Sequence, residues 1–100
     1  MAIQLPTDLS KNGFDGSTRM EDQIIIDELT DLCDYIRAYF QPPRLRFNQR
    51  QSSYGLKHKV ERKLGRYISN GELIAAMILC GYSFKIVDGL NCIFNMDTGR

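Results

Sequence analysis

The sequence has no tryptophan, one histidine and three cysteines, and these shortages exclude several kinds of functional site. Cys33, Cys80 and Cys92 are far apart within apolar stretches and form no CxxC pair, so the usual ligand spacing of a zinc site is missing. His58 has no cysteine, serine or aspartate beside it in the chain, which disfavours a catalytic dyad. We therefore expect no metal, no cofactor and no catalytic residue, and we interpret the cysteines as reduced core residues.

The chain also lacks a long hydrophobic run. No apolar stretch approaches the roughly 20 residues of a membrane-spanning helix, and the first residues show no basic segment followed by an apolar one. We therefore expect an intracellular protein without a membrane segment. A length of 100 residues favours one domain with a modest core, so we predict a single domain over residues 1–100. Within it, residues 1–17 contain Pro6, Gly13 and Gly16 and are expected to form an irregular N-terminal arm.

A net charge of +1 conceals a strong division of charge along the chain. Acidic residues dominate before Arg44. From there to Arg66 the only acid is Glu61, and the basic residues are Arg44, Arg46, Arg50, Lys57, Lys59, Arg62, Lys63 and Arg66. Such a chain can present an acidic face and a basic face to partners. The alternative is that the two regions partly neutralise each other across the fold.

The spacing of apolar residues predicts a first helix over about residues 18–40. Thr18 followed by Glu21 fits a capping box, and Pro42 ends the pattern. The apolar residues that recur at helical spacing are Ile25, Leu29, Leu32, Ile36 and Tyr39.

Two further helices are predicted in the second half of the chain. One covers about residues 53–65, with Ser52 or Ser53 as its cap and Gly65 as its end. The next covers about residues 69–81 and is apolar on almost every side, so we expect it to be the most buried helix. Its boundaries are marked by the Ser69 and Glu72 capping box and by Gly81, while Asn70 and Gly71 are expected in an exposed first turn, either for turn geometry or with N–H groups open to an anion.

The last part of the chain alternates between apolar and polar residues around Asp88-Gly89, which predicts a β-hairpin over about residues 82–96. An odd-length loop or a bulge would place one apolar set on a single face, namely Tyr82, Phe84, Ile86, Cys92, Phe94 and Met96. The predicted class is therefore α+β, with three helices and a C-terminal hairpin. This order matches a winged-helix outline, but Leu73 to Cys80 offers no Arg, Asn or Gln to read a base edge.

Two charged surfaces are the candidate binding sites. Asp27, Asp31 and Asp34 lie at helical spacing and form an acidic ridge, which is either a partner-binding surface or an ordinary solvated face. The candidate basic residues are Arg44, Arg46, Arg50, Lys59, Arg62, Lys63 and Arg66. In the loop over residues 44–51, arginines flank Phe47, an arrangement that can hold a nucleic-acid backbone while the ring stacks on a base. The alternative for this loop is a solvated connection whose Leu45 and Phe47 enter the core.

Two runs in the second half suggest a family: Ser-Ser-Tyr-Gly-Leu-Lys-His-Lys-Val-Glu, and later Tyr-Ile-Ser-Asn-Gly-Glu-Leu-Ile-Ala-Ala-Met. Over residues 51–82 the chain resembles small proteins encoded by phages and prophages of Proteobacteria, among which are anti-CRISPR inhibitors of type I-F surveillance complexes. The resemblance transfers no functional residue.

What the resemblance implies is a non-enzymatic phage inhibitor in the cytoplasm of the bacterial host. It would bind a CRISPR-type ribonucleoprotein complex and block access of target DNA. The charge pattern agrees with this function, because the acidic ridge can dock where phosphates would otherwise lie. The alternative is a nucleic-acid-binding accessory protein that uses the basic segment over residues 44–66.

Overall fold

Three helices and a two-stranded antiparallel sheet form the regular structure of residues 4–96, the part of the chain that the computed structural model describes. The α+β class with a C-terminal hairpin is thus confirmed. The elements are helix α1, Thr30–Tyr39; helix α2, Ser53–Leu64; helix α3, Asn70–Leu79; strand β1, Phe84–Ile86; and strand β2, Cys92–Phe94.

Helix α3 lies at the centre of the core, as its uniformly apolar sequence predicts. Leu73, Ile74 and Met77 are fully buried, and α1 and α2 both pack against this helix. The capping box predicted at its start is formed: the Ser69 hydroxyl accepts from the Glu72 N–H at 3.2 Å, and the Glu72 carboxylate accepts from the Ser69 N–H at 3.0 Å. Residues of the other elements complete the core, including Leu29, Leu32, Ile36, Leu56, Val60 and Phe94.

Both predicted glycine stops are confirmed. Gly65 adopts a left-handed conformation with φ of 72° and closes α2, its N–H donating to the Glu61 carbonyl. Gly81, with φ of 97°, follows α3, and the N–H of Tyr82 reaches back to the Met77 carbonyl at 3.0 Å. These bonds satisfy carbonyls that each helix end would otherwise leave open.

The first helix is shorter than predicted, because it begins at Thr30 and not near residue 18. Two 3₁₀ turns, Met20–Asp22 and Ile26–Leu29, precede it and are separated by extended backbone. Three consecutive isoleucines at 24–26 disfavour helix because their β-branched side chains crowd the preceding turn. The Thr18 and Glu21 capping box is absent, and Glu21 pairs instead with Arg19.

The apolar stripe predicted for that helix is buried only in part. Leu29, Leu32 and Ile36 are buried, whereas Ile25 is 48% exposed and Tyr39 is 73% exposed. Ile25 lies in the extended stretch before α1, and Tyr39 is the last residue of the helix. The stripe therefore enters the core only where the chain is helical or in the turn joined to it.

Of the predicted N-terminal arm, residues 4–17 contain no helix and no strand of the sheet, and residues 10–13 pack against the start of α3; residues 1–3 lie outside the described part. Ser10 and Gly13 form an isolated β-bridge, and the Gly71 N–H donates to the Lys11 carbonyl at 2.8 Å. The Asn70 side chain donates to the Asn12 carbonyl at 3.2 Å. The expectation of an exposed first turn in α3 is therefore wrong, since the arm buries both Asn70 and Gly71 and leaves no room there for an anion.

The hairpin has the odd-length loop that the sequence favours. Phe84 pairs with Phe94 and Ile86 with Cys92, so these side chains share one face of the sheet. The basic loop after α1 lies along the free edge of β2, where the Asn48 N–H donates to the Phe94 carbonyl at 2.9 Å. Ile93, on the other face, is also buried.

Candidate functional site

The acidic ridge is exposed, but one of its three carboxylates is already paired within the chain. Asp27 lies in the 3₁₀ turn before α1, and Asp31 and Asp34 lie on α1 itself. The guanidinium of Arg66 holds Asp31 in a bidentate arrangement, with Nε to Oδ2 at 2.9 Å and Nη2 to Oδ1 at 2.8 Å. This pair crosses from α1 to the segment after α2, so the two charged regions do neutralise each other at this point.

The Arg66 contact changes what both surfaces can offer. Hydrogen bonds from Arg66 hold the pKa of Asp31 below its ordinary value, and the same bonds raise the pKa of Arg66. A third bond runs from the Arg66 Nη1 to the Tyr67 carbonyl at 2.9 Å and fixes the chain after α2. Because Asp31 and Arg66 are already paired with each other, we remove Asp31 from the candidate acidic ridge and Arg66 from the candidate basic residues.

What remains of the acidic ridge borders a shallow groove of about 410 Å³. Asp27 and Asp34 lie at its rim together with Arg37, and its floor includes Leu29 and Cys33. Asp27 and Asp34 make no ion pair within residues 4–96. The groove therefore presents the carboxylates of Asp27 and Asp34 beside apolar surface. Arg37 is the one cation in its lining, so the lining keeps a net negative charge.

Five of the remaining candidates define what we call the basic face: Arg46, Arg50, Lys59, Arg62 and Lys63. All five are exposed, and within the described part of the chain none lies at ion-pair distance from a carboxylate. Arg44 is exposed too, but it already has an interaction partner and is not counted in the basic face. The Lys59 ammonium donates to the amide oxygen of Gln51 at 2.6 Å, which ties the end of the basic loop to α2.

The basic loop is irregular, as predicted, and its backbone is anchored to the hairpin. The Arg44 N–H donates to the Asn95 carbonyl at 2.7 Å, and the Asn95 amide donates to the Arg44 carbonyl at 2.9 Å. Leu45 is fully exposed, so the interpretation that it enters the core is wrong. Phe47 is half-buried, and the ammonium of Lys85 lies 5.9 Å from its ring centre.

A group of residues that the charge pattern did not single out lies beside the basic face. We call it the tyrosine cluster and define it as Tyr54, Lys57, His58, Glu61 and Tyr67. The Lys57 side chain is only 6% exposed, and its ammonium lies between two rings, 4.7 Å from the centre of Tyr67 and 5.7 Å from that of Tyr54. His58 meets the Tyr54 ring edge-on, with centroids 4.6 Å apart.

Glu61 balances the charge at the centre of the tyrosine cluster. Its carboxylate accepts from the Ile68 N–H at 2.9 Å and from the Lys57 ammonium at 3.1 Å, and it also contacts His58 Nδ1 at 3.1 Å. The Ile68 hydrogen bond is the largest cause that lowers the pKa of Glu61. Burial of Lys57 is thereby compensated by an ionised partner, as a buried ammonium requires.

The sequence did contain a signal for the tyrosine cluster. Tyr54 and His58, like Lys57 and Glu61, are four residues apart, which brings their side chains together on a helix. The approach of Tyr67 depends on the turn after Gly65 and on the Arg66 contact with Asp31, and spacing along one helix does not reveal either of these.

Residues 4–96 contain no group of three or more His, Cys, Asp or Glu side chains placed to hold a metal ion. Nor do these residues contain a helix with the length and apolar character needed to cross a bilayer. The three cysteines are free thiols, and burial raises the pKa of Cys80 to about 11 and that of Cys92 to about 12.

Comparisons with models of protein families, with curated proteins and with solved structures find no match to this chain. The resemblance to phage and prophage proteins therefore stays a prediction, and the proposals below depend on the geometry of the surface.

Proposed function

We propose that this chain is a non-enzymatic binding protein that holds nucleic acid on its basic face. The observation that carries this proposal is the basic face as defined above, whose five exposed cations have no carboxylate within ion-pair distance among residues 4–96. Unpaired cations on one surface attract phosphates and release the counterions condensed on them, which favours binding.

The basic loop contributes Arg46 and Arg50 to this surface, and its backbone is held in place by hydrogen bonds. Backbone bonds from the loop to the β2 edge hold its course while Arg46 and Arg50 remain exposed. The cations are thus presented on a framework that is already ordered, which reduces the entropy lost on binding.

A mobility-shift assay at low salt tests this proposal. Wild-type protein is expected to shift a labelled oligonucleotide, and a double variant with Arg62→Gln and Lys63→Gln is expected to shift it much less. Arg37→Gln is the matched control, because Arg37 is an exposed cation on a different helix, α1, and is not part of the basic face. Equal shifts by the wild type and the double variant would contradict the proposal.

A second candidate is the phage inhibitor that acts on a host CRISPR-type complex, and the groove beside α1 favours it. Asp27 and Asp34 at the rim, with exposed Ile26 beside them, offer charge and apolar contact to a basic element of a protein partner. Occlusion of a nucleic-acid channel requires a stable surface and no catalytic group.

Reversing Asp27 and Asp34 to Lys tests this candidate without disturbing the Asp31 pair with Arg66. Under the inhibitor hypothesis, the double variant loses co-purification with a type I-F surveillance complex, while Asp8→Lys, an exposed change in the N-terminal arm, retains it. If neither the wild type nor the Asp8→Lys control co-purified with that complex, the candidate would be rejected.

A further inference from the structure

The tyrosine cluster continues the basic face around α2. Tyr54, His58 and Arg62 follow each other at intervals of four residues and therefore form one row on the helix surface. Tyr54 is 53% exposed and Tyr67 is 72% exposed, so both rings border this row and present area to solvent. Aromatic surface and the unpaired cation of Arg62 thus lie along one row of α2, and the other cations of the basic face continue from this row around the helix and along the adjoining loop.

Both rings are held in place before any ligand arrives. The Tyr54 ring contacts the His58 edge and lies near the Lys57 ammonium, and the Tyr67 ring lies 4.7 Å from that ammonium. The Tyr67 backbone is fixed in turn by its bond from Arg66. Rings that are already ordered lose little conformational entropy when a planar group stacks on them.

We propose that the tyrosine cluster binds unpaired nucleotides, with bases stacked on Tyr54 and Tyr67 while the basic face contacts the phosphates. This inference rests on the proposed function and specifies its ligand as single-stranded nucleic acid. In a duplex the faces of the bases are covered by their neighbours, so exposed rings gain nothing from them. Single strands offer these faces, and stacking on aromatic side chains is tolerant of sequence.

A duplex would need a different kind of surface from the one present. Base pairs are read by polar side chains that enter a groove, usually from an exposed helix. Helix α3, which occupies the place of a recognition helix in the winged-helix order, is buried along nearly its whole length. The exposed side of α2 instead combines rings and cations, the combination found on surfaces that bind single strands.

Fluorescence anisotropy with labelled oligonucleotides of about 12 nucleotides tests the inference, a length within the range that one small single-strand-binding domain covers. Four probes are compared: single-stranded DNA, the same sequence as RNA, the DNA duplex, and a single strand whose central nucleotides are abasic. The single strands with bases are expected to bind at least about tenfold more tightly than the abasic strand, given the usual strength of stacking. The DNA and RNA probes distinguish the two sources of unpaired nucleotides.

Side-chain variants assign the effect to the rings. Tyr54→Leu and Tyr67→Leu are each expected to weaken binding of the base-bearing strand about tenfold while leaving the abasic strand unaffected. Tyr54→Phe is expected to retain binding, because stacking needs the ring and not the hydroxyl. Tyr39→Leu is the matched control, since Tyr39 is 73% exposed and lies at the end of α1.

The outcomes separate this inference from the proposed function. Equal affinity for base-bearing and abasic strands, or unchanged binding by both Leu variants, would overturn the tyrosine cluster as a stacking surface and leave the basic face as a phosphate-binding one. Tighter binding of the duplex than of the single strand would also overturn it. No binding of any probe by the wild type would reject both proposals.

Discussion

Replacing Gly71 by alanine is expected to destabilise the protein, although alanine is the better helix former by about 1 kcal/mol. Gly71 lies in the first turn of α3, directly beneath the N-terminal arm. A β-carbon at this position would lie 1.6 Å from the Ser10 carbonyl oxygen and 2.7 Å from its carbon. These are backbone atoms, so the arm itself would have to move away.

The expected magnitude follows from what the arm loses when it moves. The bond from the Gly71 N–H to the Lys11 carbonyl would break, a net loss of about 1 kcal/mol. Leu9, which is 7% exposed, would lose much of its burial, which is a loss of about 2 kcal/mol for a leucine. After the helix-propensity gain is subtracted, we expect Gly71→Ala to lower the free energy of unfolding by about 2 kcal/mol or more.

Urea unfolding followed by circular dichroism measures this change. Gly55→Ala is the matched control, because Gly55 lies in the first turn of α2 and a β-carbon there would lie 2.6 Å from Nε2 at the end of the Gln51 side chain, which can rotate aside, and not against backbone. The control is expected to be as stable as the wild type or slightly more stable. If Gly71→Ala also proved as stable as the wild type, the described packing of the arm on α3 would be incorrect.

Three other predictions concern the core, the ionised pairs and the thiols. Met77→Asp should abolish cooperative thermal unfolding, because it places an unpaired carboxylate at a fully buried position. Folding lowers the pKa values of Asp31 and Glu61, so the stability that these carboxylates contribute is complete above their ordinary pKa values of 3.8 and 4.5 and is lost as pH falls through their lower native values. Glu61→Gln should therefore make the midpoint of urea unfolding depend less on pH across this range. An unchanged pH profile would contradict the role assigned to Glu61. Because Cys80 and Cys92 have raised pKa values, a thiol reagent at pH 8 should react slowly with native protein and rapidly in urea, whereas fast native labelling would mean that these thiols are open.

Local rules predicted α2 and α3 well, because each boundary is set by residues within one turn of it. Ser52, Gly65 and the Ser69 and Glu72 capping box act on backbone groups close in sequence. For the hairpin, the apolar pattern favoured an odd-length loop, which places Phe84 and Phe94 on the same face, but the sequence did not settle the exact pairing of Phe84 with Phe94.

The start of α1 depends in part on the isoleucines at 24–26, and hydrogen bonds that apolar spacing does not reveal also set it and the position of the arm. The Lys11 N–H donates to the Asp22 carbonyl at 2.8 Å, and the Ser17 hydroxyl donates to the Asp22 carboxylate at 2.7 Å. These bonds hold the segment before α1 in turns although its apolar spacing resembles a helix. Asn70 was misplaced for the same reason, because nothing near it in sequence indicates that residue 12 covers it.

In the candidate site, too, features set by local sequence were predictable and those set by contacts between separate segments were not. Exposure of the cations on α2 follows from helical spacing, and the sequence was sufficient to predict it. The pairing of Asp31 with Arg66 and the approach of Tyr67 to Lys57 join segments whose relative position is set by the whole fold. The first contact removed Asp31 and Arg66 from the candidate surfaces, and the second added Tyr67 to the tyrosine cluster.

The most direct test of the central claim, that the basic face binds nucleic acid, is the salt dependence of affinity for a single strand. Each phosphate contact contributes about 0.7 to the slope of log affinity against log salt concentration for single strands. Wild-type protein is expected to show a steep negative slope, and the double variant with Arg62→Gln and Lys63→Gln is expected to show a slope smaller in magnitude by about 1.4. Binding that is insensitive to salt, or a slope that is unchanged in the double variant, would contradict the account.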